Sequence, residues 1–310
     1  MKKYTFSFVI IFAVSIAYFF PQYFISYNGV KLSAFIVPFL QLIMFGMGTT
    51  LSLADFKGIL NTPKLVFIGL GCQFLIMPFW GLGLTKIFDF STEIAAGILL
   101  VGCSPSGLAS NVMALLAKAN VALSITVTAF ATMLAPILTP FLMKILAGTL
   151  IEIDFLSMMW DMTKIVLLPV IIGFAINKLF PVYLSKVKHL LPVLSMIGIS
   201  FVIIAVTAAG NASLKTVGLT LLLAVIMHNI GGYVFGYFSA RAFGLNKQNA
   251  RTIALEVGLQ NAGLASALAN EMGKLATVGL ASGIFGPMMN LSGSILASWW
   301  GNKPLDQETK

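Results

Sequence analysis

The chain has 310 residues, 58% of them hydrophobic and only 9% charged, with a mean hydropathy of +0.97. So few charges cannot cover the surface of a soluble domain, which leaves lipid as the solvent for most of the chain. The net charge of +9 would suit nucleic acid, but the basic residues are scattered between apolar runs, and the absence of a G-x-x-x-x-G-K-[ST] loop or a long soluble stretch excludes work driven by its own ATP hydrolysis.

The apolar runs predict an all-α polytopic membrane protein of about ten spans, near residues 5–21, 32–52, 64–85, 94–117, 121–147, 157–179, 190–209, 215–242, 249–270 and 276–300. Each is long enough to cross a hydrocarbon core of about 30 Å. No strand-sized alternating segments are expected, so helices must satisfy the backbone. The start, MKKYTFSFVIIFAVSIAYFF, resembles a signal peptide but runs into PQYF without a small-residue cleavage site, and reads as a retained first span. With the amino terminus inside, 13 of the 19 Lys and Arg residues fall on the cytoplasmic side, among them Lys57, Lys118, Arg241, Arg251 and Lys303. That bias puts both termini in the cytoplasm. Cys72 and Cys103 lie within spans and give no disulfide framework. Asn211-Ala212-Ser213 forms a glycosylation sequon on an expected outer loop.

One small-residue phrase occurs twice. GLASNVMALL starts at Gly107 and GLASALANEM at Gly263, 156 residues apart, each in the fourth apolar segment of its half. Helix-breaking residues mark both: Ser104, Pro105, Ser106 and Gly107 in one, Gly258, Gln260, Asn261 and Gly263 in the other. The same shift superimposes Gln73 on Asn229, both polar within apolar helices. Small-residue runs also serve ordinary helix packing. The equal offset and the paired breaks favour two five-span repeats, residues 1–150 and 151–303, followed by a tail at 304–310. An odd number of spans per repeat makes them inverted, the sequence pattern of a secondary transporter with broken, crossing spans 4 and 9.

Of the ten Asp and Glu residues, only Glu256 lies deep inside a span. A charge there costs about 2.5–3.5 kcal/mol on insertion scales, and no Lys or Arg is expected at its depth. Its counter-charge must be a mobile cation or a proton, unless the group is a protonated structural acid. Gln260 follows at i+4 on the same face. Ser110 and Asn111 open the second half of span 4, Ser124 and Thr128 share one face of span 5, and Gln73 adds an amide from span 3. Hydroxyls at such spacing also bond back to their own helix. Taken together, these oxygens favour Na⁺ over H⁺, because a hard cation needs several oxygens and a proton relay only the carboxyl.

The phrases EVGLQNAGLA (256–265), GLASNVM (107–113), NVALS (120–124) and IMFGMGTTL (43–51) resemble the bile acid:sodium symporter family over essentially the whole chain. The resemblance implies a core domain of spans 3–5 and 8–10 and a panel domain of spans 1, 2, 6 and 7. It implies two sodium sites, one of Ser110, Asn111, Ser124, Thr128 and Glu256, the other of Gln73, Glu256 and Gln260 with the carbonyls of Val257 and Leu259. Substrate-side positions would be Asn261 and Asn290. Leu108 and Met289 stand where some relatives carry a polar residue and a histidine, which leaves the substrate in doubt. His228 falls where relatives are polar; it reads as a histidine bonding a neighbouring helix or as a substrate contact.

The expected function is sodium-coupled symport of an organic anion by alternating access, two Na⁺ per substrate. The anion is a bile acid-like steroid or a small carboxylate such as pantoate, its carboxylate facing the half-helix starts at Gly107 and Asn261. The alternative is a proton-coupled carrier. An enzyme is not expected, since His189 and His228 with no buried Asp offer no nucleophile–base pair or metal cluster. The expected partners are sodium, the anion and a bilayer, with no nucleic acid; a monomer suffices, in a bacterial inner membrane.

Overall fold

A computed structural model describes residues 5–53, 55, 62–187 and 190–304 of the chain. Lys57, His189 and residues 305–310 of the expected tail lie outside the described residues. The chain is mostly helical: α1 (Thr5–Phe19), α2 (Ile36–Thr50), α3 (Pro63–Phe88), α4 (Thr92–Cys103), α5 (Ala109–Leu116), α6 (Val121–Ala147), α7 (Phe155–Leu179), α8 (Leu191–Ala209), α9 (Asn211–Ala242), α10 (Lys247–Gly258), α11 (Ala262–Glu271) and α12 (Gly279–Gly301).

Six helical stretches among the described residues are long and apolar enough to cross a membrane: Leu32–Thr50, Pro63–Phe88, Val121–Ala147, Phe155–Leu179, Asn211–Ala242 and Gly279–Gly301. The chain is therefore a multi-pass helical membrane protein. The expected spans 4 and 9 fail the length test because each is two helices, of 12 and 8 residues and of 12 and 10. At 1.5 Å per residue, no such half reaches across about 30 Å of hydrocarbon.

One element departs from expectation. Ser26–Tyr27 and Val30–Lys31 pair as a small antiparallel hairpin. Its turn is Asn28-Gly29, both with positive φ (49° and 80°), the pairing that a two-residue hairpin loop demands. The sequon residue Asn211 is also not a free loop residue. It opens α9 and donates to the Tyr18 carbonyl at 2.6 Å.

Helix α2 packs on α7 and α8, and α8 on α1. The α2–α7 crossing is close because glycines meet backbone: Gly48 abuts the Val170 carbonyl, and Gly173 that of Phe45. Without a hydrophobic driving force between helices in lipid, such close approach supplies much of the packing attraction. Helix α3 packs on α4, α6, α9 and α10, while α12 packs on α4, α5, α9 and α11. The broken pairs α4/α5 and α10/α11 sit inside this second group, where their unwound segments meet.

Candidate functional site

The two breaks lace together through their backbones. Gly107 N–H donates to the Leu259 carbonyl at 2.7 Å, and Asn261 N–H to the Pro105 carbonyl at 2.8 Å. Ser106 and Gln260 face each other as an antiparallel bridge. Backbone groups inside a bilayer must find partners in the protein, and here each break satisfies the other. A Cβ on Gly107 would come 2.8 Å from the Gln260 carbonyl oxygen, so the crossing tolerates no side chain there. Asn261 caps α11 by accepting from Leu264 N–H at 3.0 Å.

Glu256, fully buried near the end of α10, projects into a nest of hydroxyls. Ser124 Oγ donates to its Oε1 at 2.5 Å and Thr128 Oγ1 to its Oε2 at 2.8 Å. Asn111 Oδ1 lies 2.9 Å from Ser124 Oγ and 3.4 Å from Thr128 Oγ1. Ser110 Oγ is 3.2 Å from Thr128 Oγ1 and spends its own proton on the Gly107 carbonyl at 2.9 Å. Each hydroxyl has one proton to give. Ser124 and Thr128 therefore hold two protons for the two carboxylate oxygens, the Asn111 carbonyl and the Ser110 oxygen. The cluster is rich in oxygen and poor in protons, which is what a hard cation requires.

No ion pair among the described residues reaches Glu256; those found are Lys164–Asp161 and Lys274–Glu93. Arg251, on the same half-helix, is turned elsewhere. Its guanidinium donates to the carbonyls of Ala117 at 3.3 Å and Trp300 at 3.1 Å and lies over the Trp300 ring. It ties together two helix ends, where cations are favourable.

The second expected set sits one turn along, at the crossing. Gln73 Nε2 donates to Gln260 Oε1 at 2.8 Å and to the Ser104 carbonyl at 3.0 Å, and Gln260 Nε2 to the Val257 carbonyl at 2.5 Å. The Leu259 carbonyl is held by Gly107. These groups are together but bonded mainly to one another, and a cation among them would displace the Gln73 and Gln260 amides from their present acceptors.

Against the crossing lies a cavity of about 130 Å³, which Gln260 also borders. Of the expected substrate residues, Gly107, Leu108, Asn261, Met289 and Asn290 line it. His228 does not line it. It is buried, its Nε2 3.0 Å from the Met77 carbonyl and its ring edge-on to Phe285. The opposite wall comes from residues to which the sequence assigned no substrate role: Leu40 of α2, Ile43 and Met44 at the start of the IMFGMGTTL phrase, and Ser195, Ile199 and Val202 of α8. Their i, i+3/i+4 spacing marks a helix face, but so do the lipid-facing stripes of every other span. Helices α5 and α11 both start at the cavity wall, which places the positive ends of their dipoles there.

A polar chain links the site to α12. Asn229 Nδ2 donates to the Gly258 carbonyl at 2.8 Å, and Asn229 Oδ1 accepts from Ser292 Oγ at 2.5 Å. Tyr233 Oη lies 3.1 Å from the same serine. Asn229 thus braces the turn between Glu256 and Gln260.

Comparison with known proteins identifies the family. The model of the Sodium Bile acid symporter family matches residues 37–217. An uncharacterized sodium-dependent transporter of Bacillus subtilis, YocS, is 40% identical over 95% of this chain and 90% of its own length. A probable chloroplastic sodium/metabolite cotransporter of Arabidopsis thaliana, BASS1, is 34% identical over 84% of this chain, which spans 65% of that protein. Another from the same plant, BASS5, is 32% identical over 95% of this chain and 72% of its own length. These relatives are named as transporters or cotransporters, not enzymes. The chain belongs to the Sodium Bile acid symporter family.

Proposed function

We propose that this protein is a sodium-coupled symporter of a small organic anion, working by alternating access with two Na⁺ per substrate. The observation that carries this reading is the buried Glu256 carboxylate, held by two hydroxyls beside spare amide and hydroxyl oxygens, with no ion pair to it among the described residues. A sodium ion among Ser110, Asn111, Ser124, Thr128 and Glu256 supplies the missing positive charge. A second ion would take Gln73, Glu256, Gln260 and the carbonyls of Val257 and Leu259. In the same reading the chain forms ten spans in two inverted repeats, with both termini in the cytoplasm of a bacterial inner membrane. The α1, α2, α7 and α8 group is the panel, the remainder is the core, and a monomer suffices.

The mechanism follows from the crossing. The laced breaks join the cation sets to the cavity: Gln260 belongs to the second set and also borders the cavity. Binding sodium fixes the breaks, and with them the starts of α5 and α11 that face the cavity. A substrate carboxylate then meets preset N–H donors, while its apolar body lies against α2 and α8. Movement of the core against the panel exchanges the side on which the cavity opens.

Two Na⁺ with one monoanion carry one net positive charge, worth about 2.3 kcal/mol per 100 mV. A tenfold sodium gradient adds about 1.4 kcal/mol per ion. The total of about 5 kcal/mol supports accumulation of some thousandfold. The test is uptake of labelled carboxylates into proteoliposomes under separate Na⁺, K⁺ and H⁺ gradients, with substrates first ranked by thermal shift in sodium buffer. Uptake that follows Na⁺ supports the proposal, and uptake that follows only pH establishes a proton-coupled carrier instead.

A further inference from the structure

Two buried side-chain oxygens near the crossing have no hydrogen-bond partner among the described residues, Gln73 Oε1 and Ser106 Oγ. Gln73 already belongs to the second cation set. Ser106 belongs to neither set, and no step above uses it. It is 1% exposed, and a buried hydroxyl without a partner is destabilising. Its neighbours show how readily such a group is satisfied. Ser104 Oγ donates to the Leu100 carbonyl at 2.7 Å, and Ser110 Oγ to that of Gly107. Ser106 alone of these three leaves its oxygen uncommitted.

Its placement explains what the oxygen serves. Ser106 lies in the extended segment between α4 and α5, paired with Gln260 across the crossing. In extended backbone, successive residues point to opposite sides. Gly107 borders the cavity and Ser106 does not. The Ser106 hydroxyl instead lies within reach of the Glu256 carboxylate, as do Ser110, Ser124 and Thr128, though no well-formed hydrogen bond joins the two. The Glu256 carboxylate and the unpartnered Ser106 hydroxyl thus lie together at the break, and Gln73, whose Oε1 is also unpartnered, is held to the same crossing through its bonds to Ser104 and Gln260.

We infer that the Ser106 hydroxyl is a cation ligand at the crossing, acting with Gln73 Oε1 and Glu256 to hold one of the co-transported sodium ions. The inference rests on the sodium-coupled reading and extends it. Because Ser106 is also a residue of the break, a cation bound to it pulls directly on the segment whose next residues, Gly107 and Leu108, form the cavity wall. Sodium binding and cavity shape are then coupled through a single peptide step.

A ligand role and a structural role predict opposite signs. Removing an unpartnered buried hydroxyl relieves the sodium-free protein, whereas removing a ligand weakens sodium binding. Thermal unfolding of purified Ser106→Ala would be measured in KCl and across a NaCl titration beside the parent protein. The expected result is a midpoint in KCl equal to or above that of the parent. The sodium-induced rise should be much smaller, with affinity lower by about tenfold, the scale of one ligand to a charged group. Ser106→Thr, which keeps the hydroxyl, should retain more of the sodium response than Ser106→Ala. A sodium response in Ser106→Ala equal to that of the parent overturns the inference, as does a lowered midpoint in KCl, which would reveal a structural hydroxyl. If the parent itself shows no response to NaCl over KCl, the sodium-coupled reading fails, and that outcome is distinct from both.

Discussion

A glutamate in hydrocarbon is tolerable only if something answers its charge, and at Glu256 the answer decides the mechanism. Ser124 and Thr128 each supply one proton to the carboxylate, which leaves Asn111 and Ser110 with acceptor capacity to spare. We therefore expect Glu256→Ala to abolish sodium-stimulated uptake while the protein remains monodisperse and helical; retained sodium dependence in a folded variant would remove the basis of the proposal. Gln260 occupies a different position. It bridges Gln73 and the Val257 carbonyl, so Gln260→Ala strips one ligand and loosens the crossing without touching the hydroxyl nest. Its sodium activation curve should move to higher concentration and become less steep. A curve that superimposes on that of the parent counts against the second ion. Arg251 shows that a charged neighbour in sequence need not be a partner in space, because its guanidinium is engaged by the carbonyls of Ala117 and Trp300.

At the level of helices, the seam between α6 and α10 repeats one pattern over two turns. Asn120 N–H donates to Thr252 Oγ1 at 2.8 Å, and Asn120 Nδ2 to Asn249 Oδ1 at 2.9 Å; four residues further along each helix, Ser124 meets Glu256. Thr252→Val removes the hydroxyl with little change of shape and leaves the Asn120 N–H unpaired, which should destabilise by about 1–3 kcal/mol. A drop in the thermal midpoint, equal in sodium and potassium, would check it. The breaks themselves were legible in the sequence, since Ser-Pro-Ser-Gly and Gly-Leu-Gln-Asn cannot continue a helix between apolar runs, and the doubled GLAS phrase marked both. Their lacing was not legible, because it depends on two segments about 150 residues apart meeting in space. The buried acid and its oxygen-bearing neighbours stood out by chemistry. The α2 and α8 cavity wall did not, because Leu, Ile, Met and Val stripes look alike whether they face lipid, a core or a ligand. The hairpin carried a clear signal in Asn28-Gly29, but strands of two residues are too short to show alternation.

Across the whole molecule, the cavity is bounded on one side by the crossing and on the other by α2 and α8, so the proposed alternating access predicts that these surfaces move relative to each other. A Cβ at Gly263 of α11 would lie 3.4 Å from Leu40 Cδ1 of α2. Paired cysteines at these two positions, joined by a short thiol cross-linker, should stop uptake, and a cleavable linker should restore it on reduction. Full activity in the cross-linked protein would exclude relative movement of α2 and α11. The native Cys72 and Cys103 are both buried, which limits side reactions. The net charge carried per cycle gives a second test at this scale: a transient inward current on adding substrate with sodium, absent in potassium, is expected from two cations accompanying one monoanion.

The lacing of the two breaks also bears on how the protein is made. Gly107 N–H and the Pro105 carbonyl find their acceptor and donor only in Leu259 and Asn261, which the ribosome delivers roughly half a chain later. Until then, the earlier interrupted segment sits in the bilayer with amide groups that nothing nearby can satisfy, at several kcal/mol each. Insertion of the front half is thus provisional, held open until its counterpart arrives. A polypeptide halted near its midpoint should be left as a substrate for membrane quality control rather than as a stable fragment.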